Sequence, residues 1–214
     1  MTKVKKFTFN GFQENTFIIS DTNGIAVVVD PGCYEAFEEK ELFEYIEENK
    51  LKVVALLNTH AHIDHILGNQ AVLNKYKVPH YLHQEDILTL TSVKNYAHAY
   101  GFNGYKESPL PTNILKGGEE LEFGELKFKV YFTPGHAPGH VVYHLEKDNI
   151  LVNGDVLFKG SFGRVDLPGG SMDILKKTIL NVMFKFPEET VVLTGHGPET
   201  TIGDEKRTNY ILEF

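Results

Sequence analysis

The chain has 214 residues, of which 42% are hydrophobic and 23% are charged, and its formal net charge is −8 at pH 7. These values are typical of a globular protein, and they exclude wholesale disorder, collagen and a coiled coil. Because no apolar run approaches the roughly 20 residues that span a bilayer, we expect no membrane partner. The first ten residues, MTKVKKFTFN, lack the apolar segment of a secretory signal.

Cysteine usage and charge limit the compartment and the partners. Cys33 is the only cysteine, so an intrachain disulfide is excluded and a reducing compartment, the cytoplasm, is expected. Seven glutamates between Glu35 and Glu48 alternate with apolar residues, which predicts the solvated face of one amphipathic helix. An acidic chain gains no overall attraction to phosphate, so nucleic acid is not an expected partner.

The predicted elements alternate between strands and helices. In the first half, strands are predicted at 16–19, 25–29 and 53–57, and helices at 35–50, 66–77 and 85–96. In the second half, strands are predicted at 126–132, 141–145, 150–152 and 191–193, with helices after a Ser171 cap and from about Asp204. No linker or internal repeat divides residues 1–214, so we expect a single domain. Two sheets covered by outer helices fit this order.

Four of the apolar runs end in a polar cluster that contains potential metal ligands. The clusters hold His60, His62, Asp64 and His65 after the first run, then His136, Asp155 and His196 after the later runs. Strand ends on one edge of a sheet are where rigid scaffolds place functional sites. His60 and His62 are two residues apart, so in an extended segment both side chains point the same way. The pattern therefore predicts a cluster that holds two adjacent metals.

These motifs resemble the metallo-β-lactamase superfamily, in order and spacing over nearly the whole chain. The resemblance implies an α+β fold, a four-layer αββα sandwich of two mixed sheets flanked by helices, with a binuclear site at one edge. It also implies the ligand sets: His60, His62 and His136 for one metal, Asp64, His65 and His196 for the other, and Asp155 as the bridge.

Within this superfamily, two segments resemble the short glyoxalase II-like hydrolases, which are similar to hydroxyacylglutathione hydrolase. These segments are 160–170 and 197–203, and the substrates of such enzymes are thioesters such as S-lactoylglutathione. Binuclear β-lactamases carry Cys where this chain has Asp155, and diiron flavoproteins carry Glu where it has His62. Only eighteen residues follow His196, so the C-terminal helical domain of glyoxalase II is not expected.

The predicted reaction is hydrolysis of a small thioester by metal-bound hydroxide. Imidazole and carboxylate ligands suit Zn²⁺, our first choice among divalent ions, and also Fe²⁺ and Mn²⁺. Two cations that share a water lower its pKa from 15.7 to about 7. Asp64 is expected to orient that hydroxide as the catalytic residue. Arg164, Lys206 and Arg207 are expected to bind carboxylates of the thiol carrier.

Alternative functions stay open. A persulfide dioxygenase would hold a single iron at positions matching His60, His136 and Asp155, although the segment around Arg164 favours the hydrolase. A lactonase is a closely related alternative, and the acidic balance disfavours an RNA nuclease. The sequence leaves open the acyl group, the carrier, the native metal and the oligomeric state.

Four further features have weaker predicted roles. His140 is expected to support the site without binding metal, and Cys33 is not expected to be a nucleophile, since no base pairs with it. Asp30 either hydrogen-bonds a metal ligand or forms a turn before Pro31. The aromatic stretch 96–105 either forms a substrate wall or packs a long loop.

Overall fold

The computed structural model describes residues 2–214 and contains a first sheet of six strands. In chain order these are β1 (Lys3–Phe9), β2 (Glu14–Ser20), β3 (Ile25–Val29), β4 (Lys52–Leu57), β5 (His80–His83) and β6 (Asn113–Leu115), and they lie side by side in that order. The first three strands pair antiparallel, and β3 to β6 pair parallel. The sheet is therefore mixed, as predicted.

The second sheet also has six strands. They are β7 (Glu120–Phe123), β8 (Leu126–Phe132), β9 (Val141–Leu145), β10 (Ile150–Gly154), β13 (Val191–Thr194) and β14 (Thr200–Thr201), and a separate hairpin is formed by β11 (Leu157–Phe158) and β12 (Ser161–Phe162). The spatial order is β14-β13-β10-β9-β8-β7. Only β10 and β13 pair parallel, and both lead directly into predicted ligand positions.

Helices cover the outer faces of the two sheets. They are α1 (Ala36–Glu48), α2 (Ile63–Ile66), α3 (Asn69–Tyr76), α4 (Ile87–Tyr96), α5 (Met172–Asn181) and α6 (Ile202–Thr208). Leu42 of α1 packs with Val28 and Leu56 of the first sheet, and Leu175 of α5 packs with Leu151 of the second. Between the sheets, side chains from both inner faces form a third apolar cluster. The order of layers is αββα. None of the helices within residues 2–214 is both long and apolar enough to cross a lipid bilayer.

The predicted helix at 66–77 is wrong at its start, because the chain bends at Gly68. The Gly68 N–H donates to the carbonyl of Pro31 at 2.7 Å, and a Cβ there would collide with Cys33 Sγ. Short α2 therefore ends at Ile66 and α3 begins at Asn69. The predicted Ser171 cap is confirmed, whereas the last helix begins at Ile202, two residues before the predicted start.

Candidate metal centre

The potential ligands lie where parallel strands of both sheets end. In the first sheet, β4 ends three residues before His60, beside its parallel neighbour β3. In the second sheet, β10 ends just before Asp155 and β13 ends two residues before His196. Because parallel neighbours end at the same edge, each pair delivers polar side chains to one rim of the sandwich. The sheets themselves therefore position this site.

Three imidazoles, which we call the inner group, converge in the buried part of this rim. They belong to His60, His62 and His136. The Nε2 atom of His136 lies 2.9 Å from His62 Nδ1 and 3.3 Å from His60 Nε2. The side chain of His60 is fully buried. Three ring nitrogens at these separations can serve one cation as three ligands.

A second set, the outer group, lies on the more open side and consists of Asp64, His65 and His196. The Nε2 atoms of His196 and His65 are 3.1 Å and 3.8 Å from Asp64 Oδ2. The side chain of His196 is 25% exposed and that of Asp64 14% exposed. A side chain at Gly195 would collide with the Asp155 carboxylate and the His65 ring, so this close approach requires glycine.

Asp155 lies between the two groups. Its Oδ2 atom is 3.5 Å from the Nε2 atoms of His136 and His196, and its Oδ1 atom is 3.5 Å from His65 Nε2. The structure thus brings together all seven residues predicted as metal ligands.

Two atoms at the centre of this arrangement test whether a metal fits. His65 Nε2 and Asp155 Oδ1 are both buried and both have no hydrogen-bond partner among the described residues. Leaving a buried polar atom unpaired costs folding free energy, so such atoms in native proteins are usually paired with another protein group, a water molecule or a bound ion. A divalent cation bound by the two atoms would be that partner. The donor set of imidazole and carboxylate suits Zn²⁺, Fe²⁺ or Mn²⁺.

Four of the five imidazoles are oriented by hydrogen bonds at Nδ1, the ring nitrogen that does not face the cluster. The Nδ1 atoms of His60, His65, His136 and His196 lie 2.7–3.1 Å from Thr59 Oγ1, Asp30 Oδ2, the Arg164 carbonyl and the Phe12 carbonyl respectively. With Nδ1 engaged in this way, each Nε2 is left for the cluster. The protein therefore fixes the ring orientations independently of any bound ion.

Asp30 and His140 support the site from behind. The Asp30 carboxylate accepts from Thr59 N–H at 2.7 Å and contacts His65 Nδ1 at 3.1 Å, which confirms the first of its two predicted alternatives. His140 Nε2 accepts a hydrogen bond from the backbone N–H of Asp155 at 3.1 Å, and its ring stacks on His60. His140 therefore holds Asp155 and His60, in agreement with its predicted supporting role.

A family model of the metallo-β-lactamase superfamily matches residues 9–196. The chain belongs to this superfamily. Two curated relatives are the probable metallo-hydrolase YqgX of Bacillus subtilis, 36% identical over 92% of this chain and 90% of the relative, and the hydroxyacylglutathione hydrolase GloC of Haemophilus influenzae, 32% identical over 94% and 93%.

Two solved structures have the same fold. BLEG-1 B3 metallo-β-lactamase is 34% identical with a TM-score of 0.91, and the alignment covers 99% of this chain and 100% of that one. TTHA1623 in a di-iron-bound form is 36% identical with a TM-score of 0.87 over 97% and 99%. The chain is thus a metallo-hydrolase of this superfamily, with a donor set for divalent metal ions. The predicted family and fold are confirmed.

The two groups differ in charge. Burial, with repulsion from neighbouring histidines, lowers the pKa of His62 to about 3 and that of His60 well below its ordinary value. Burial also lowers the pKa of His136. In the outer group burial opposes protonation, but the carboxylates of Asp64 and Asp155 outweigh it and raise the pKa of His65 and His196.

Sequence reasoning missed Asp86, which ties two ligand-bearing loops together. Its Oδ2 atom accepts from the N–H of Ala61, between His60 and His62, and its Oδ1 atom accepts from the N–H of Gly139, both at 2.7 Å. Burial raises the pKa of this carboxyl to about 6, although the two N–H donors oppose the shift. No local pattern around Asp86 signals this role, since both partners are distant in sequence.

The three predicted substrate-binding cations have different locations. Arg164 lies at the rim, where its carbonyl accepts from His136, but its exposed guanidinium forms two 2.7 Å hydrogen bonds with Asp166. Lys206 donates to the Phe186 carbonyl, and Arg207 pairs with Glu188.

These contacts correct the prediction for Lys206 and Arg207. Phe186 and Glu188 precede β13, whereas His196 follows it, so they lie at opposite ends of that strand. Antiparallel β14 returns the chain to the far end before α6 begins, because Thr201 pairs with Val191. The structure therefore does not bring these two side chains to the metal centre.

Proposed function

We propose that the protein is a binuclear metal-dependent hydrolase of a small thioester, with S-lactoylglutathione as the first candidate. The observation that carries this proposal is the position of Asp155 between the inner and outer groups, where one of its buried oxygens has no hydrogen-bond partner within residues 2–214. The name of the GloC relative, a hydroxyacylglutathione hydrolase, supports the thioester. Zinc is the first choice of metal, and the di-iron-bound relative supports iron as the alternative.

When bound, two divalent cations supply a water of lowered pKa and an electrophile for a carbonyl oxygen. In this proposal one cation would be held by His60, His62 and His136, and the other by Asp64, His65 and His196. Asp155 would be a ligand common to the two groups. Four of the imidazoles are held in their orientations by hydrogen bonds to Thr59, Asp30 and the carbonyls of Arg164 and Phe12.

Asp64 is the proposed catalytic residue. Its carboxylate lies on the open side of the cluster, where it can accept a hydrogen bond from the attacking water and aim the water at the carbonyl carbon. Burial raises the pKa of the Cys33 thiol, so this side chain stays protonated and is not a nucleophile. A buried free thiol also supports a reducing compartment, which for this activity would be the cytoplasm.

The test combines metal analysis with a comparison of substrates. Protein purified without added metal should contain close to two metal ions per chain by elemental analysis. S-lactoylglutathione should be hydrolysed with a kcat/KM of about 10⁴ M⁻¹s⁻¹ or more, the lower end of ordinary enzymes. A cephalosporin and a homoserine lactone serve as competing substrates, assayed at the same enzyme concentration.

Three outcomes would contradict the proposal. One iron per chain, with oxygen consumption on glutathione persulfide, would indicate the dioxygenase. Faster turnover of the cephalosporin would indicate a β-lactamase, the activity in the name of one structural relative. Faster turnover of the lactone would indicate a lactonase.

A further inference from the structure

An exposed aromatic pair lies beside the outer group. Phe12, in the turn between β1 and β2, is 42% exposed, and Tyr100, in the loop after α4, is 47% exposed. Their ring centroids are 5.9 Å apart in an edge-to-face arrangement. Clustered exposed apolar side chains commonly mark a binding surface. The location of this pair relative to the outer group indicates which part of a substrate it can contact.

The turn that carries Phe12 is fixed to the outer group by hydrogen bonds. The Phe12 carbonyl accepts from His196 Nδ1 at 3.0 Å. Asn10, in the same turn, donates to the backbone carbonyl of Asp64 at 3.1 Å and accepts from the Phe12 N–H at 2.9 Å. The backbone at Phe12 is therefore held beside two proposed ligands, His196 and Asp64.

Tyr100 is fixed by the packing of its own loop. Phe102 is buried, and its ring centroid lies 5.8 Å from that of Phe12 and 4.8 Å from that of Tyr34. Part of the aromatic stretch therefore packs the loop, which was one of its two predicted roles. Tyr96 lies 5.8 Å from Tyr100. The aromatic surface thus continues from Phe12 through Tyr100 to Tyr96.

A third aromatic ring also lies beside His196. Phe158, at the end of β11, lies edge-on to the His196 imidazole with ring centroids 5.9 Å apart. The imidazole of this proposed ligand therefore contacts the Phe158 ring and the backbone of Phe12.

The rim beside His136, a proposed ligand of the inner group, is polar, and the Arg164 carbonyl accepts from His136 Nδ1 at 2.7 Å. This rim is formed by Arg164, whose guanidinium is paired with Asp166 through two hydrogen bonds. The pair carries no net charge but leaves donors and acceptors exposed to solvent. The rim beside His196 thus suits an apolar group, and the rim beside His136 suits a polar one.

We infer that Phe12 and Tyr100 bind the acyl substituent of the thioester, and that this substituent is apolar or aromatic, while the polar thiol carrier lies along the Arg164 side. This inference rests on the proposed thioester hydrolysis and specifies its substrate class. A thioester carbonyl bears two groups, and the aromatic rim beside His196 and the polar rim beside His136 match an apolar acyl group and a polar carrier.

The experiment compares S-mandeloylglutathione with S-lactoylglutathione. The two substrates share the carrier and the 2-hydroxyacyl unit and differ by a phenyl in place of a methyl group. The wild type should prefer the mandeloyl substrate in kcat/KM, and Phe12→Ala or Tyr100→Ala should reduce this preference about tenfold. Phe12→Ala keeps the backbone carbonyl that accepts from His196. Phe12→Leu should restore part of the preference.

Phe37→Ala is the matched control, because Phe37 is an equally large exposed ring on α1. This variant should keep the wild-type preference. Equal kcat/KM for the two substrates in the wild type, or an equal loss in Phe12→Ala and Phe37→Ala, would overturn the inference. Dependence on Phe12 that appears only with the S-benzyl thioester of lactate would place the thiol, and not the acyl group, on the aromatic side and would also overturn it.

A binding measurement separates this inference from the proposed function. Calorimetry on the metal-loaded protein should show mandelate binding about tenfold more tightly than lactate, and Phe12→Ala should remove the difference. If neither thioester is hydrolysed but this Phe12-dependent difference is present, the proposed hydrolase function is wrong and the inferred role of Phe12 and Tyr100 is supported. If both thioesters are hydrolysed and mandelate does not bind more tightly than lactate, the inferred role of Phe12 and Tyr100 is wrong and the hydrolase function is supported.

Discussion

The inner and outer groups share Asp155 but differ in burial and charge. The inner group is three imidazoles whose pKa values are lowered, mainly by burial, so they are neutral before any metal arrives. The outer group contains a carboxylate, is partly open to solvent, and has two imidazoles whose pKa values are raised. The protein thus combines one buried, neutral half with one partly exposed, charged half. The open half is the one a substrate can reach.

The largest expected effect is the loss of the residue that both halves share. Asp155→Ala should reduce turnover about a hundredfold or more and lower the metal content of both groups, because each loses a carboxylate ligand. Elemental analysis and steady-state kinetics check this. Cys33→Ala is the control and should keep activity within about twofold of wild type. Similar losses in both variants would show that the thiol takes part in the reaction.

The next effect concerns pH. A ligating imidazole must be neutral, so metal affinity falls once the pH drops below its pKa. Because the pKa values of His65 and His196 are raised and those of His60 and His62 are lowered, the outer group should lose metal first as the pH falls from 8 to 6. Dialysis against a chelator at each pH, followed by elemental analysis, should give about two ions and then about one per chain.

Two variants assign the ion that is lost. His196→Ala removes an outer ligand and should keep one ion with weak dependence on pH. His62→Ala removes an inner ligand and should keep one ion with strong dependence on pH. The same pH dependence in both variants would remove the distinction between the groups.

A smaller effect should follow from Asp30→Asn. Asp30 has a positive φ of 46°, which asparagine tolerates, so this change removes the charge at His65 Nδ1 with little change of backbone. Competition with a chromophoric chelator should show about 10- to 100-fold weaker binding at the outer group. Asp173→Asn, on the exposed side of α5, should leave the affinity unchanged. An equal loss at both groups would mean that Asp30 acts through Thr59 on the whole site.

The smallest effect is expected at the polar rim. Arg164→Ala should raise the KM for S-lactoylglutathione only about two- to fivefold, because the pair with Asp166 is exposed and already neutralised. Asp166→Ala should lower the KM by a similar factor, since it frees the guanidinium. S-lactoyl-N-acetylcysteamine, which is uncharged, should respond to neither change. Equal effects on both thioesters would show that Arg164 shapes the loop and does not contact the carrier.

The sequence by itself determined the positions of the polar clusters and the family. All seven predicted ligand positions lie in polar clusters that follow apolar runs, and this pattern can be recognised from the order of residues alone. The alternation of strands and helices likewise predicted two sheets with outer helices, because hydrophobic periodicity depends only on near neighbours.

Tertiary structure decided which distant residues act on those positions. The roles of Asp86 and Phe12 arise from hydrogen bonds to residues 25 and 184 positions away. Lys206 and Arg207 follow His196 closely in sequence, yet the antiparallel pairing of β14 with β13 carries them to the far end of the sheet. Such placements depend on which strands pair and which loops meet across the sandwich, and these contacts leave no periodic or local pattern in the chain.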